Sequence, residues 1–204
     1  MKFAVFVSGN GTNLQAIINA VKKKEIKAEL TMVFADNRKA YALTRAKSAG
    51  IKTVCLLRKD YGTPQSYERD IVIHLKEEGI DLVVLAGFMS LLSPFFVKTF
   101  PNKIINIHPT LLPAFKGKNG IKDTFTYGAK IAGATVHFVD EMMDHGPIIL
   151  QAGFKIPEKE TLATLTEHIH KVEYKIFPKA IALFAEGRLK VTGRKVQILD
   201  KPQK

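Results

Sequence analysis

Short apolar runs alternate with longer amphipathic stretches through the first half of the chain, beginning with Phe3-Ala-Val-Phe-Val7 directly after Lys2. Continuous runs of this kind suit strands covered on both faces, as in a parallel sheet. Strands are expected at 2–7, 30–35, 53–57, 82–86 and 103–107. Amphipathic stretches between them predict helices at 13–23, 40–49, 64–78 and 94–99. Each connection is long enough for a right-handed crossover, so the alternation predicts βαβ units.

The texture changes after Pro113. Residues 131–139 and 147–156 alternate apolar with small or polar positions, which predicts an antiparallel pair added to the parallel core. A long amphipathic segment over 162–186 predicts a helix that Gly187 stops, and Pro178 inside it is expected to kink or divide it. No repeat, low-complexity tract or linker interrupts the chain. The expected fold is α/β, a mostly parallel twisted sheet flanked by helices with an antiparallel C-terminal extension. It is expected as a single domain over 1–188, followed by a short basic tail over 189–204.

With 204 residues and 46% hydrophobic side chains, the chain can bury a sizeable core. Its formal charge of +12 is the compositional outlier and points to nucleic acid, an anionic membrane or anionic small molecules. The basic residues are scattered (Lys22, Lys23, Lys24) or gathered moderately near the end (Arg188, Lys190, Arg194, Lys195), as on a solvated face. No aromatic interleaving accompanies them, so nucleic acid is not expected. Cys55 is the only cysteine, so no internal disulfide can form, and its place in Thr53-Val-Cys-Leu-Leu57 suggests a buried, inert thiol. Neither a signal-peptide pattern nor an apolar run of membrane-spanning length is present, so a cytoplasmic protein without membrane attachment is expected.

Two stretches carry candidate chemistry. In Ile104-Ile-Asn-Ile-His-Pro109, Asn106 and His108 stand two apart on an extended run and so share one face, and Pro109 ends the strand after them. An amide and an imidazole converging there suit chemistry at a carbonyl, although a single histidine at a strand end is more often structural. The second stretch, Ser8-Gly-Asn-Gly-Thr-Asn13, leads from the first strand into the first helix. Glycines let backbone approach an anion, and the helix start favours negative charge. Leu14 stands where a dinucleotide fingerprint needs its third glycine, and no Gly-Lys-Ser/Thr follows, so a monophosphate fits better than a dinucleotide.

Taken in order, Ser8-Gly-Asn-Gly-Thr-Asn-Leu-Gln15, Leu85-Ala-Gly-Phe-Met89, Asn106-Ile-His-Pro-Thr-Leu-Leu-Pro113 and Met143-Asp-His-Gly-Pro147 resemble the motifs of the phosphoribosylglycinamide formyltransferase family. The resemblance runs from residue 1 to about 188. It implies a Rossmann-like formyltransferase fold and transfer of a formyl group from 10-formyltetrahydrofolate, as co-substrate, to the amine of 5-phosphoribosylglycinamide in de novo purine biosynthesis. No metal is implied, the partners are small molecules, and the state is monomer or homodimer.

Carried over by motif, Asn106, His108 and Asp144 form the catalytic set, with Asp144 stabilising a charged imidazole. Gly11, Thr12 and Asn13 hold the phosphate, and His170, Lys171, Val172 and Glu173 meet the ribonucleotide, Glu173 through the ribose hydroxyls. The folate lies along Met89, Ser90, Leu91 and Leu92, beside Asn106 and the loop Asp140, Glu141, Met142, Met143 and Asp144. His137 matches a supporting position and reads equally as a core histidine.

The chain departs from the family at Ser90, where many members have arginine, and at Pro64, where they have a basic residue, which shifts the expected folate-glutamate contacts toward Arg58 or Lys59. The segment Phe115-Lys-Gly-Lys-Asn-Gly-Ile121 lacks histidines found in some members, so no assistance from them is carried over. Alternative readings are a methionyl-tRNA formyltransferase, which chain length opposes, a formyltetrahydrofolate hydrolase, which the phosphate loop opposes, and a noncatalytic nucleotide-binding module, which has no need of Asn106, His108 and Asp144 together.

Overall fold

The computed structural model describes residues 1–200. The chain forms two compact units, Met1–Ile105 and a second from Asn106 onward. In the first, β1 (Lys2–Val7), β2 (Glu29–Ala35), β3 (Lys52–Cys55) and β4 (Leu82–Leu85) lie in the order β3-β2-β1-β4. All three pairings are parallel, with Val5 opposite Val33 on one side and Val84 on the other. Phe3 through Val7 are fully buried, which is what the unbroken apolar run foretells for a strand covered on both faces.

The crossovers carry α1 (Thr12–Lys22), α2 (Tyr41–Ser48), α3 (Pro64–Glu77) and α4 (Pro94–Thr99). Thr63 caps α3 by accepting the Ser66 N–H at 3.0 Å, with Pro64 at the first helical position where its missing N–H costs nothing. Phe6 packs at 4.6 Å from Phe34, 5.3 Å from Phe88 and 6.0 Å from Phe96 between ring centroids. Burying one such ring contributes about 1.5–3 kcal/mol.

In the second unit the order is β5-β6-β7-β9-β8, with β5 (Ile104–His108) entering from the first unit's last residues, β6 (Ile131–Phe138), β7 (Ile148–Lys155), β8 (Leu189–Thr192) and β9 (Lys195–Ile198). The expected antiparallel pair is present: Thr135 faces Gln151, and the register shifts between Val136 and His137. Two helices complete the unit, α5 (Gly120–Tyr127) and α6 (Leu162–Ala185). Ala132 of β6 packs with Leu165 and Ile169 of α6, with Ile121, Phe154 and Ile156 around them.

Three features differ from the expectation. Of the kink or division expected at Pro178, the division does not occur, since helix α6 runs through it; the ring removes one backbone bond, while Phe177, Pro178, Ala180 and Ile181 are buried and hold the turn by packing. Helix α5 is unforeseen, because Gly120-Ile-Lys-Asp-Thr-Phe-Thr-Tyr127 opens on glycine and lacks a long apolar stripe. The stretch from 189 carries the β8–β9 hairpin, with β9 parallel to β7 at Ile148 and Lys195. Its alternation around a Gly193-Arg194 turn is a hairpin signal that the basic charge of the segment masks. Residues 201–204 of the expected tail lie outside the described residues.

Candidate active site

Strand β5 presents Asn106 and His108 on one face, and the loop from β6 to β7 brings Asp144 to them. His108 is buried and sits between two oxygens: its Nε2–H donates to the Phe115 carbonyl at 2.9 Å, and its Nδ1 lies 3.4 Å from Asp144 Oδ2. The same Asp144 oxygen accepts the Gly117 N–H at 2.8 Å, and Oδ1 lies 3.8 Å from His137 Nε2. Asp144 adopts a left-handed backbone with φ 48°, a conformation that costs an L-residue energy and needs its surroundings to hold it.

His137 reaches this cluster from β6. Its Nδ1–H donates to the Phe138 carbonyl at 2.8 Å, which leaves a lone pair on Nε2 to accept an Asn106 amide N–H at 3.2 Å. Burial pushes the His137 imidazole below its ordinary value, against the opposing pull of the Phe138 carbonyl and the Asp144 carboxylate. The ring therefore acts as a neutral acceptor near pH 7.

Buried hydroxyls tie down the chain beyond β5. Thr135 Oγ1 donates to the Thr110 carbonyl at 2.7 Å and accepts the Leu112 N–H at 3.0 Å, while Gln151 Nε2 donates to Leu112 O and Thr135 Oγ1, both at 2.9 Å. Gly120 allows α5 to begin against this segment, since a Cβ there would stand 2.5 Å from Thr110 Cγ2 and 3.3 Å from His108 Nε2.

In the first unit, the loop between β1 and α1 is built for close backbone approach. Gly11 has φ 75°, and a Cβ on it would meet Ala42 Cβ at 2.5 Å. Helix α1 starts at Thr12 after Gly11, which makes no side-chain cap, and the positive end of its dipole lies at this loop. The loop is braced from α2: Ala42 N–H donates to Gly9 O at 3.1 Å, and Arg45 donates to Asn10 O and Asn10 Oδ1, each at 2.9 Å, and to Gln15 Oε1 at 3.3 Å. Ser8 Oγ accepts the Met89 N–H at 2.8 Å. Sequence reasoning missed Arg45, which carries no motif of its own, and the Phe115 and Gly117 backbone partners, which have no side-chain identity to read.

Of the residues expected along the folate, Met89 and Leu91 are exposed, Leu92 is half-buried, and Ser90 donates to Asp36 Oδ2 at 2.7 Å. In the loop of the second unit, Glu141, Met142 and Met143 are exposed, and Asp140 accepts the Met142 N–H at 3.0 Å. On α6, His170 Nδ1–H donates to Glu173 Oε2 at 2.8 Å, and this contact raises the His170 imidazole above its ordinary value. Glu173 is buried, whereas Lys171 is exposed and Val172 half-buried, so the four do not share one face. Cys55 is half-buried rather than fully buried, and burial raises its thiol. Among the described residues, no group of three or more His, Cys, Asp or Glu is arranged to hold a metal ion, and no helix is long and apolar enough to cross a membrane.

Residues 1–181 match the formyl transferase family. The chain is 41% identical over 180 residues to the phosphoribosylglycinamide formyltransferase of Bacillus subtilis (strain 168), covering 88% of this chain and 92% of that protein. It is also 41% identical over 191 residues to the trifunctional purine biosynthetic protein adenosine-3 of Gallus gallus, where it spans 94% of its own length and 19% of that longer protein. The crystal structure of glycinamide ribonucleotide transformylase 1 from Symbiobacterium toebii superposes with a TM-score of 0.95 at 42% identity, over 98% of this chain and 94% of that one.

Proposed function

Because the chain belongs to the formyl transferase family, we propose that it moves the formyl group of 10-formyltetrahydrofolate to the amine of 5-phosphoribosylglycinamide. The products are formylglycinamide ribonucleotide and tetrahydrofolate, in de novo purine biosynthesis. Residues 1–188 form the formyltransferase domain in this reading. The observation that carries it is the meeting of Asn106, His137, His108 and Asp144 through contacts of 3.2 to 3.8 Å, an arrangement pure binding would not require.

Attack of the amine on the formyl carbon forms the new C–N bond and puts negative charge on the formyl oxygen. Donors held in place beforehand lower that barrier, because no reorganisation is needed as charge develops. An amide has two N–H bonds. Asn106 gives one to His137 and turns the other toward the formyl oxygen, and His108 on the same strand face supplies a second donor by exchanging its Phe115 carbonyl contact for that oxygen. The bond to the folate nitrogen then breaks, that nitrogen takes a proton, and the amine loses one to Asp144 through water. The Asp144 carboxylate also orients the His108 ring from its Nδ1 side, 3.4 Å away.

Gly11, Thr12 and Asn13 hold the substrate phosphate by backbone N–H groups and the α1 dipole, while the segment His170, Lys171, Val172 and Glu173 meets the ribonucleotide, Glu173 through the ribose hydroxyls. Met89, Leu91 and Leu92 are apolar folate contacts with the polar Ser90 among them, and Asp140, Glu141, Met142 and Met143 are the folate contacts of the loop after β6. The overall positive charge draws in both anionic substrates.

The test mixes the protein and 10-formyltetrahydrofolate with either glycinamide ribonucleotide or charged initiator tRNA, and follows folate product absorbance. Turnover with the ribonucleotide alone is expected. Turnover only with the tRNA, or with neither, rejects the reading.

A further inference from the structure

We propose that Arg194 is a positioning residue for formyl transfer: from the turn between β8 and β9 it grips the peptide that follows Asp144 and keeps that carboxylate directed at His108. The proposal rests on the formyltransferase reading above and adds to it a part of the chain beyond the 1–181 family match.

The hairpin is placed by pairing. Strand β9 joins β7 where Ile148 faces Lys195, so the Gly193-Arg194 turn comes beside the entry to β7, just past the loop that carries Asp144. Arg194 Nη2 donates to the His145 carbonyl at 2.7 Å, and Nη1 lies 3.0 Å from Nε2 and 3.2 Å from Nδ1 of the His145 ring. The ring in turn donates from Nδ1 to Asp140 Oδ2 at 2.7 Å, and Asp140 Oδ1 accepts the Met142 N–H at 3.0 Å. Asp140 and His145 thus close the loop on itself, and Arg194 ties the closed loop to a strand pair about fifty residues further on.

That tie matters because of the backbone at Asp144. Its left-handed φ of 48° is disfavoured for an L-residue and relaxes unless its flanks are held. Two residues after Asp144, Gly146 sits so close to β6 that a Cβ would fall 1.9 Å from the Phe138 carbonyl. Between the two, Arg194 fixes the His145 carbonyl. With the two residues that follow it held in place, the Asp144 side chain keeps its Gly117 contact of 2.8 Å and its 3.4 Å separation from His108 Nδ1. The two-pronged guanidinium suits a carbonyl and a ring at once, which the single ammonium of lysine does not.

The experiment is a double-mutant cycle between Arg194→Ala and Asp144→Asn, read by steady-state and single-turnover formyl transfer to glycinamide ribonucleotide. Arg194→Ala is expected to lower kcat about tenfold, since a small displacement of a reacting group acts on the transition state, with the ribonucleotide KM within about twofold of wild type. On the Asp144→Asn background the same change is expected to cost nothing further, because a residue acting through that carboxylate has nothing left to position. Should Arg194→Ala unfold, Arg194→Lys carries the same cycle with a smaller first step. An unchanged kcat in the folded single variant, or losses that multiply across the cycle, overturn the role of Arg194 while wild-type formyl transfer leaves the underlying reading standing. A wild-type protein that transfers no formyl group rejects that reading and the role of Arg194 with it.

Discussion

Asn106 donates an amide N–H to His137 Nε2 across 3.2 Å, and this contact decides that the nitrogen end of the amide, not its oxygen, lies against the buried ring. The ring can accept only because its other nitrogen is spent on the Phe138 carbonyl at 2.8 Å. A neutral histidine thereby orients a neutral donor.

Removing that orientation should appear in turnover. His137→Ala is expected to lower kcat by about ten- to a hundredfold, less than the roughly hundred- to thousandfold cost of losing an oxyanion donor outright because Asn106 itself remains, with substrate KM values little changed. Circular dichroism confirms folding. A kcat within about threefold of wild type would show that the amide orients itself without the ring.

For the His108–Asp144 pair, His108→Ala and Asp144→Asn are each expected to cost about a hundredfold or more in kcat, as for loss of a positioned donor or its carboxylate partner. Rapid-quench measurements separate this chemical step from product release. Near wild-type single-turnover rates in either folded variant reject the assigned roles.

The phosphate loop makes a prediction about discrimination. In Gly11→Val the new side chain collides with Ala42 and strains the backbone at φ 75°, so the loop moves and the ribonucleotide binds much more weakly. The strain itself costs about 1–2 kcal/mol of stability. Isothermal calorimetry with each ligand checks this, and equal losses for ribonucleotide and folate defeat the assignment.

Two histidines give stability opposite pH dependences. His137 has a folded-state pKa below 6.5, so its contribution is present above 6.5 and is lost as pH falls through the folded value. His170 has a folded-state pKa above 6.5, held up by Glu173, so its contribution is present below 6.5 and is lost as pH rises through the folded value. Melting temperatures across this range should therefore show a shallower acid-side decline in His137→Gln and a shallower alkaline-side decline in His170→Gln. Parallel curves for both variants and wild type would remove these linkages.

Much of the chain's architecture follows from local pattern. The apolar run Phe3 to Val7 could satisfy its side chains only as a strand covered on both faces, and the two-residue spacing of Asn106 and His108 on an extended backbone put them on one face before any partner was known. Glycine at 11 marked a backbone that must come close to something. These signals are legible because periodicity and backbone freedom belong to neighbouring residues.

The rest depended on which distant segments pair. His137 meets Asn106 from thirty-one positions away because β6 folds beside β5, and its register shift at Val136 and His137 sets where the ring points. Phe115 and Gly117 act through a carbonyl and an N–H that every residue but proline possesses, so no sequence pattern singles them out. Pro178 stays inside α6 because buried neighbours outweigh one lost backbone bond. Arg194 looks like one more surface charge in a basic segment until β9 pairs with β7 and sets it on His145. Sequence determined the elements and the residues able to do chemistry; strand pairing and burial decided their partners, because those contacts exist only when remote backbone is brought together and desolvated.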